Sequence, residues 1–149
     1  MNQQRSEPQY SEWVLPNWTS FIPVLAIYPT LWLTFLPIDL VLGTWLGVGL
    51  SLLVAGLMIA KSARITVSDD YFTVANAMIE RKFIVGVEKI AGEEGFAARG
   101  RNLDPRAWIH FQGSVKTLVR VHIADPDDPT PYWLFSTRKP EKLAKALGF

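Results

Sequence analysis

The sequence predicts an α+β chain in two parts, a helical hairpin of membrane-spanning length followed by an antiparallel β domain closed by a C-terminal helix. Three observations predict it. From Trp13 to Ile38 there is no Asp, Glu, Lys or Arg, and after the single Asp39 the run from Leu40 to Ala60 is again uncharged. From Ala63 onward apolar residues recur with period two, as in strands that bury one face. Near the end the spacing becomes helical, with Leu143, Ala144 and Leu147 on one side and Lys142 and Lys145 on the other.

The boundaries expected from these patterns are a tail over 1–12, a transmembrane hairpin over 13–61 and a soluble domain over 62–149. Within the hairpin the spans read as Trp18 to Leu36 and Leu40 to Ala60. Each reaches the roughly 20 residues that a hydrocarbon core of about 30 Å requires. Pro37, Ile38 and Asp39 leave room only for a tight reversal, so the spans are expected as antiparallel neighbours. Pro23 and Pro29 predict a kinked first span, tolerated where neighbouring groups satisfy the freed carbonyls. Trp13 and Trp18 fall where an interfacial aromatic belt belongs, and Trp45 near the other interface.

Gly43, Gly47, Ser51 and Ala55 recur every four residues, a helix-packing face of small side chains. Its occupant is either the first span of the same chain or a partner subunit. Lys61 and Arg64 follow the second span, Arg5 precedes the first, and the turn between them has no base; both termini are therefore expected in the cytoplasm. The rival reading is a cleaved signal peptide. Against it, the first apolar run exceeds a signal core, lacks a small-x-small cleavage site and is followed directly by a second span.

Seven strands are expected in the soluble part. Ile65 to Val67 and Phe72 to Val74 flank a turn at Ser68, Asp69 and Asp70, and a second reversal at Ala75 to Ala77 leads to Met78–Lys82. Phe83–Ile90, Trp108–Phe111, Thr117–Ile123 and Tyr132–Ser136 complete the set. Val119, Val121 and Ile123 share one face of their strand, Arg120 and His122 the other. In the closing helix Pro140 suits the first turn, with Ser136 or Thr137 as its cap. By element order this is the layout of a pleckstrin-homology-like (PH-like) domain, an analogy that carries no function with it.

Fourteen of the 15 Lys and Arg lie from Lys61 onward, against eleven of the 14 acids. So small and scattered an excess gives no basic stripe for nucleic acid, yet it suits the surface of an anionic leaflet. With no cysteine there is no disulfide, thiolate metal site or cysteine nucleophile.

Tyr10-Ser11-Glu12, the two spans, Arg64-Ile65-Thr66-Val67 with Asp70-Tyr71-Phe72, Asp104-Pro105-Arg106-Ala107-Trp108 and the stretch from Asp125 to Pro140 together resemble an uncharacterised actinobacterial family of two-span membrane proteins, DUF3093-like. The likeness covers nearly the whole chain. It implies a bacterial inner-membrane location and no reaction, and it supplies no catalytic residue.

Candidate chemistry is sparse. The loop from Asp125 to Pro131 offers three carboxylates for a cation, but Asp and Pro are also plain turn formers, and the glycine and distal glutamate of a calcium loop are missing. His110 and His122 read as surface or edge residues; Ser114, His122 and Asp125 make a triad only on paper. Arg99, Arg101 and Arg106 lie in a flexible segment where guanidinium groups suit an anion, unless a short helix from Glu93 to Ala98 simply turns them to water. Lys61, Arg64, Arg81 and Lys82 are expected together at the bilayer surface, each worth about 1 kcal/mol near anionic lipid.

The expectation is a non-enzymatic, membrane-anchored interaction module. It needs no cofactor or metal, and its partners are the bilayer and a membrane or envelope protein met through a strand edge or the Tyr132-Trp133 region. The alternatives are an accessory or assembly subunit of a larger membrane complex and a lipid- or anion-binding protein, with homo-oligomerisation left open.

Overall fold

The computed structural model describes residues 8–149, so Arg5 lies outside the described residues. Strand β1 (Tyr10–Val14) runs antiparallel to β2 (Ala63–Val67), with Val14 opposite Ala63 and Tyr10 opposite Val67. Leu15–Ser62 is therefore an insertion between two paired strands, and it forms a compact unit of its own. This moves the expected boundary at residue 12. Trp13, expected in the hairpin's aromatic belt, is a β1 residue opposite Arg64.

In the inserted unit a 3-10 turn (Trp18–Phe21) leads into α1 (Ile22–Phe35), and α2 (Leu40–Ala60) follows. Pro23 sits in the first turn of α1, where a missing N–H costs nothing. Pro29 is interior and removes the helical donor to the Leu25 carbonyl. Asp39, the one charge in the apolar region, caps α2: its Oδ1 accepts from the N–H groups of Val41 and Leu42 at 2.9 and 3.1 Å. A carboxylate there also meets the positive end of the helix dipole.

The small-residue face of α2 meets α1. A Cβ on Gly43 would stand 2.7 Å from Phe35 Cβ, and one on Gly47 3.1 Å from the Tyr28 carbonyl. Ser51 Oγ lies 3.4 Å from the Val24 carbonyl oxygen, and Ala55 is half-buried. The contacts run in opposite order along the two helices, which are antiparallel. Glycine lets the backbones approach this closely.

The other unit is α+β, with two four-stranded sheets. The first orders β1-β2-β3-β4, with β3 at Tyr71–Val74 and β4 at Ala77–Glu80. The second orders β5 (Ile84–Ile90), β7 (Leu118–Ile123), β8 (Tyr132–Ser136) and β6 (Trp108–His110). An all-antiparallel set was expected, but β6 runs parallel to β8. No tight hairpin joins these two, so nothing local dictates the direction of β6, which takes the open edge of β8.

Alternation sets the main core. Ile65, Val67, Phe72, Val74, Val119, Val121 and Phe135 point inward and are fully buried. All five residues of β8 are buried, because its second face is covered too. There Leu118, Tyr132 and Leu134 pack with Ile90 and with Ala98 of α3 (Gly92–Arg99). Tyr132 and Trp133, expected as a contact surface, are thus interior at 9% and 5% exposure.

Helix α4 (Pro140–Leu147) buries Leu143 and Leu147, and Gly148 ends it at φ 92°, a left-handed turn that favours glycine. Neither Ser136 nor Thr137 caps it; Lys139 holds the cap position and makes no side-chain cap bond. The Thr137 hydroxyl is engaged elsewhere. It donates to Glu12 Oε2 at 2.6 Å and accepts from Lys139 N at 3.1 Å.

Candidate functional site

On the face of the second sheet away from the main core, antiparallel register sets Glu88 of β5 opposite Arg120 of β7 and Gly86 opposite His122. Arg120 Nη1 donates to Glu88 Oε2 at 3.0 Å. His122 Nε2 lies 3.2 Å from Glu88 Oε1 without forming a hydrogen bond to it. The Arg120 guanidinium stands 4.9 Å over the Tyr132 ring, and the Tyr132 hydroxyl accepts from Asp104 N at 2.8 Å. Beside this network a cavity of about 420 Å³ is lined by Glu88, Ile90, Glu94, Ala98, Asn102 and Arg120, among others.

The Glu88 carboxylate is held by Arg120, and the buried Arg120 Nε and His122 Nε2 have no hydrogen-bond partner among the described residues. Such atoms favour a polar ligand or water. The sequence pointed to Arg120 and His122 through strand alternation but missed Glu88, whose place opposite them is fixed only by register.

Against known proteins, the match is to a family described as "Protein of unknown function (DUF3093)", over residues 9–147. The chain belongs to this family. Neither a curated protein nor a solved structure matches it.

In this DUF3093 chain the remaining predicted site residues scatter. Arg64 is exposed on β2 near the hairpin, three positions after the exposed Lys61. Arg81 and Lys82 follow β4, whose Glu80 pairs with Tyr71 at the far end of β2 and β3. Three antiparallel strands in a row end where the first one ends, so Arg81 and Lys82 lie at the opposite end of β2 from Arg64. Four residues of β2 separate the pairs by about 14 Å at the usual rise per residue. Arg81 has a structural task, donating to the Ser68 and Ala146 carbonyls at 3.2 and 3.0 Å. Lys82 pairs with Glu80 at 2.6 Å, and that hydrogen bond holds its pKa above the ordinary lysine value.

The arginine segment does not converge either. Arg99 ends α3, donates to the Val115 carbonyl at 2.9 Å and lies 5.5 Å over the Phe111 ring. Arg106 grips Asp104, and this bond holds the Asp104 carboxyl below the usual carboxylate range. Arg101 opens onto a concavity shared with Glu93, Phe96, Ala97 and Gly100.

The Asp125 loop is turn chemistry. Asp125 Oδ1 accepts from Asp127 N at 3.0 Å, and Asp128 Oδ1 from Thr130 N at 2.9 Å. Among the described residues no group of three His, Cys, Asp or Glu is placed to hold a metal. His110 stacks on Trp108, and His122 faces Glu88 and Tyr132 rather than Asp125.

Proposed function

We propose that this chain is an integral two-span protein of a bacterial inner membrane, with a PH-like domain on the cytoplasmic side serving as a non-enzymatic interaction module. The observation that carries the reading is the exposure of its apolar helices. Trp18–Phe35 and Leu40–Ala60 are long and apolar enough to cross a membrane, yet only 6% and 11% of their apolar windows are buried. A core helix of a soluble protein would be mostly covered. Lipid is the solvent that accepts such a surface.

Strand β1 argues against a cleaved leader. It precedes the hairpin, pairs with β2 and brings the buried Glu12 into the domain. Cleavage after the first span would strip an edge strand and a satisfied carboxylate from the fold. Trp13 and Arg64, exposed and opposite each other beside the insertion, have the aromatic and cationic character of interfacial residues.

The PH-like reading draws on a four-stranded antiparallel sheet, a second sheet with an antiparallel β5-β7-β8 core, and a closing helix. For the partner, an extended segment of another membrane or envelope protein fits the edge strand β5, seven residues long with Val85 59% exposed. An accessory-subunit role would use a surface other than Gly43, Gly47 and Ser51, which meet α1.

The test is alkaline carbonate extraction of cell membranes, followed by in-cell crosslinking from position 85. The expected outcome is a chain retained in the membrane pellet and joined to one recurrent membrane or envelope protein. A chain released to the supernatant rejects the anchor, and a monomeric, uncrosslinked chain rejects the interaction module.

A further inference from the structure

At the start of α4 the β unit carries a further concavity, of about 410 Å³, lined by Lys89, Thr117, Arg138, Lys139, Pro140, Glu141 and Lys142. It holds four cations against one carboxylate in a chain whose net charge is only +1. The one carboxylate is already taken, since Glu141 Oε1 pairs with Lys89 Nζ. Lys139 and Lys142 are exposed and have no ion-pair partner among the described residues.

The backbone beneath the cations is fixed. Glu12 Oε1 accepts from Arg138 N at 2.8 Å, and the fully buried Thr137 accepts from Lys139 N at 3.1 Å. Both residues that bring Arg138 and Lys139 to the rim are thus clamped before any ligand arrives, which lowers the entropy lost on binding. In addition the N–H groups of Glu141 and Lys142 precede the first helical hydrogen bond, donated by Leu143 to Lys139, and no side chain caps them.

We propose that this concavity binds a phosphate group, with Arg138, Lys139 and Lys142 as its cationic ligands. Converging cations with spare amide donors match the charge and the acceptor oxygens of a phosphate. The same chemistry is offered by a lipid headgroup and by a free phosphate. The inference rests on the soluble domain alone and does not depend on the membrane anchor.

The test is hydrogen exchange of the full chain in nanodiscs, following the amides of Arg138, Lys139, Glu141 and Lys142. One arm adds inorganic phosphate to discs of neutral phosphatidylcholine; the other replaces part of that lipid with phosphatidylglycerol. Exchange through the ligand-free state slows about tenfold when ligand stands about ten times above its dissociation constant. Slowing by inorganic phosphate in neutral discs assigns the site to a free phosphate, and slowing only in phosphatidylglycerol discs assigns it to a headgroup. Either effect must vanish in K139E/K142E and persist in K145E, a change on the same helix outside the concavity. Should the double variant also lose protection at residues 118–123, K142Q carries the comparison. No slowing in either arm, slowing that survives K139E/K142E, or its equal loss in K145E overturns the proposal.

Discussion

Glu12 and Thr137, 125 positions apart, share a 2.6 Å hydrogen bond in the interior of the domain. Glu12 is 5% exposed, yet both its oxygens are occupied: Oε2 accepts from the Thr137 and Tyr10 hydroxyls, and Oε1 from Arg138 N. A buried carboxylate is tolerable only when so satisfied. It ties the strand that enters the hairpin to the junction of β8 and α4.

Replacing Glu12 with alanine strands three donors, each costing about 1–3 kcal/mol if left unmet. With partial relaxation the expected loss is about 3 kcal/mol, and Glu12→Gln, which keeps one acceptor, loses less. Denaturant unfolding of the full chain in detergent, followed by tryptophan fluorescence, measures both. An unchanged midpoint for Glu12→Ala would mean that β1 is held by strand pairing alone.

The Tyr10 phenol donates to Glu12 at 2.6 Å, and burial, then that bond, push its pKa well above the ordinary tyrosine value. The neutral phenol is favoured by folding, so its contribution is complete below the ordinary value of 10.0 and is lost as pH rises above it. Wild-type protein should therefore lose thermal stability more steeply above pH 10 than Tyr10→Phe. Parallel slopes for the two proteins would remove Tyr10 from the alkaline transition.

Glycines in α2 divide by what faces them. Gly43→Ala puts a methyl group 2.7 Å from Phe35 Cβ and should cost about 1–3 kcal/mol through overpacking. Gly49→Ala and Gly56→Ala meet nothing within 4 Å and should be neutral or gain about 0.5–1 kcal/mol from helix propensity. Thermal unfolding in micelles checks the contrast; equal effects at the three positions would contradict the α1–α2 packing.

The two helices were legible because length and absence of charge suffice to mark them. Seven of the strands and the C-terminal helix were legible from period and turn residues, whereas α3 stood only as an alternative reading of Glu93 to Ala98. Strand β1 was not: its inward positions are Tyr10, Glu12 and Val14, and a carboxylate in the middle breaks the apolar alternation. Its partner β2 also lies across the whole hairpin, beyond any local signal. The separation of Arg64 from Arg81 and Lys82 was not legible for a related reason, because which end of a sheet a residue reaches depends on how many strands precede it. Arg138 and Lys139 appeared only within the stretch from Asp125 to Pro140 and Lys142 only as an outward residue of the closing helix, their common place at one concavity being set by the turn from β8 into α4.

Arg81 and Lys82 should behave differently despite being neighbours. Arg81→Ala removes donors to the Ser68 and Ala146 carbonyls and should destabilise the domain by about 1–3 kcal/mol. Lys82→Ala, losing only an exposed pair with Glu80, should leave the unfolding midpoint where it was. Urea titration of both variants decides, and a larger loss at Lys82 would reverse the assignment.

The central claim is that an uncleaved hairpin crosses the membrane between two paired strands, and labelling single cysteines in intact cells tests it most directly. The chain has no cysteine, so Ile38→Cys in the turn and Ala124→Cys in the soluble domain each provide the sole thiol. An impermeant maleimide should reach position 38 from outside intact cells and position 124 only after the cells are opened, both on full-length chain. Labelling of both positions from the same side, or recovery of a chain shortened past β1, would contradict it.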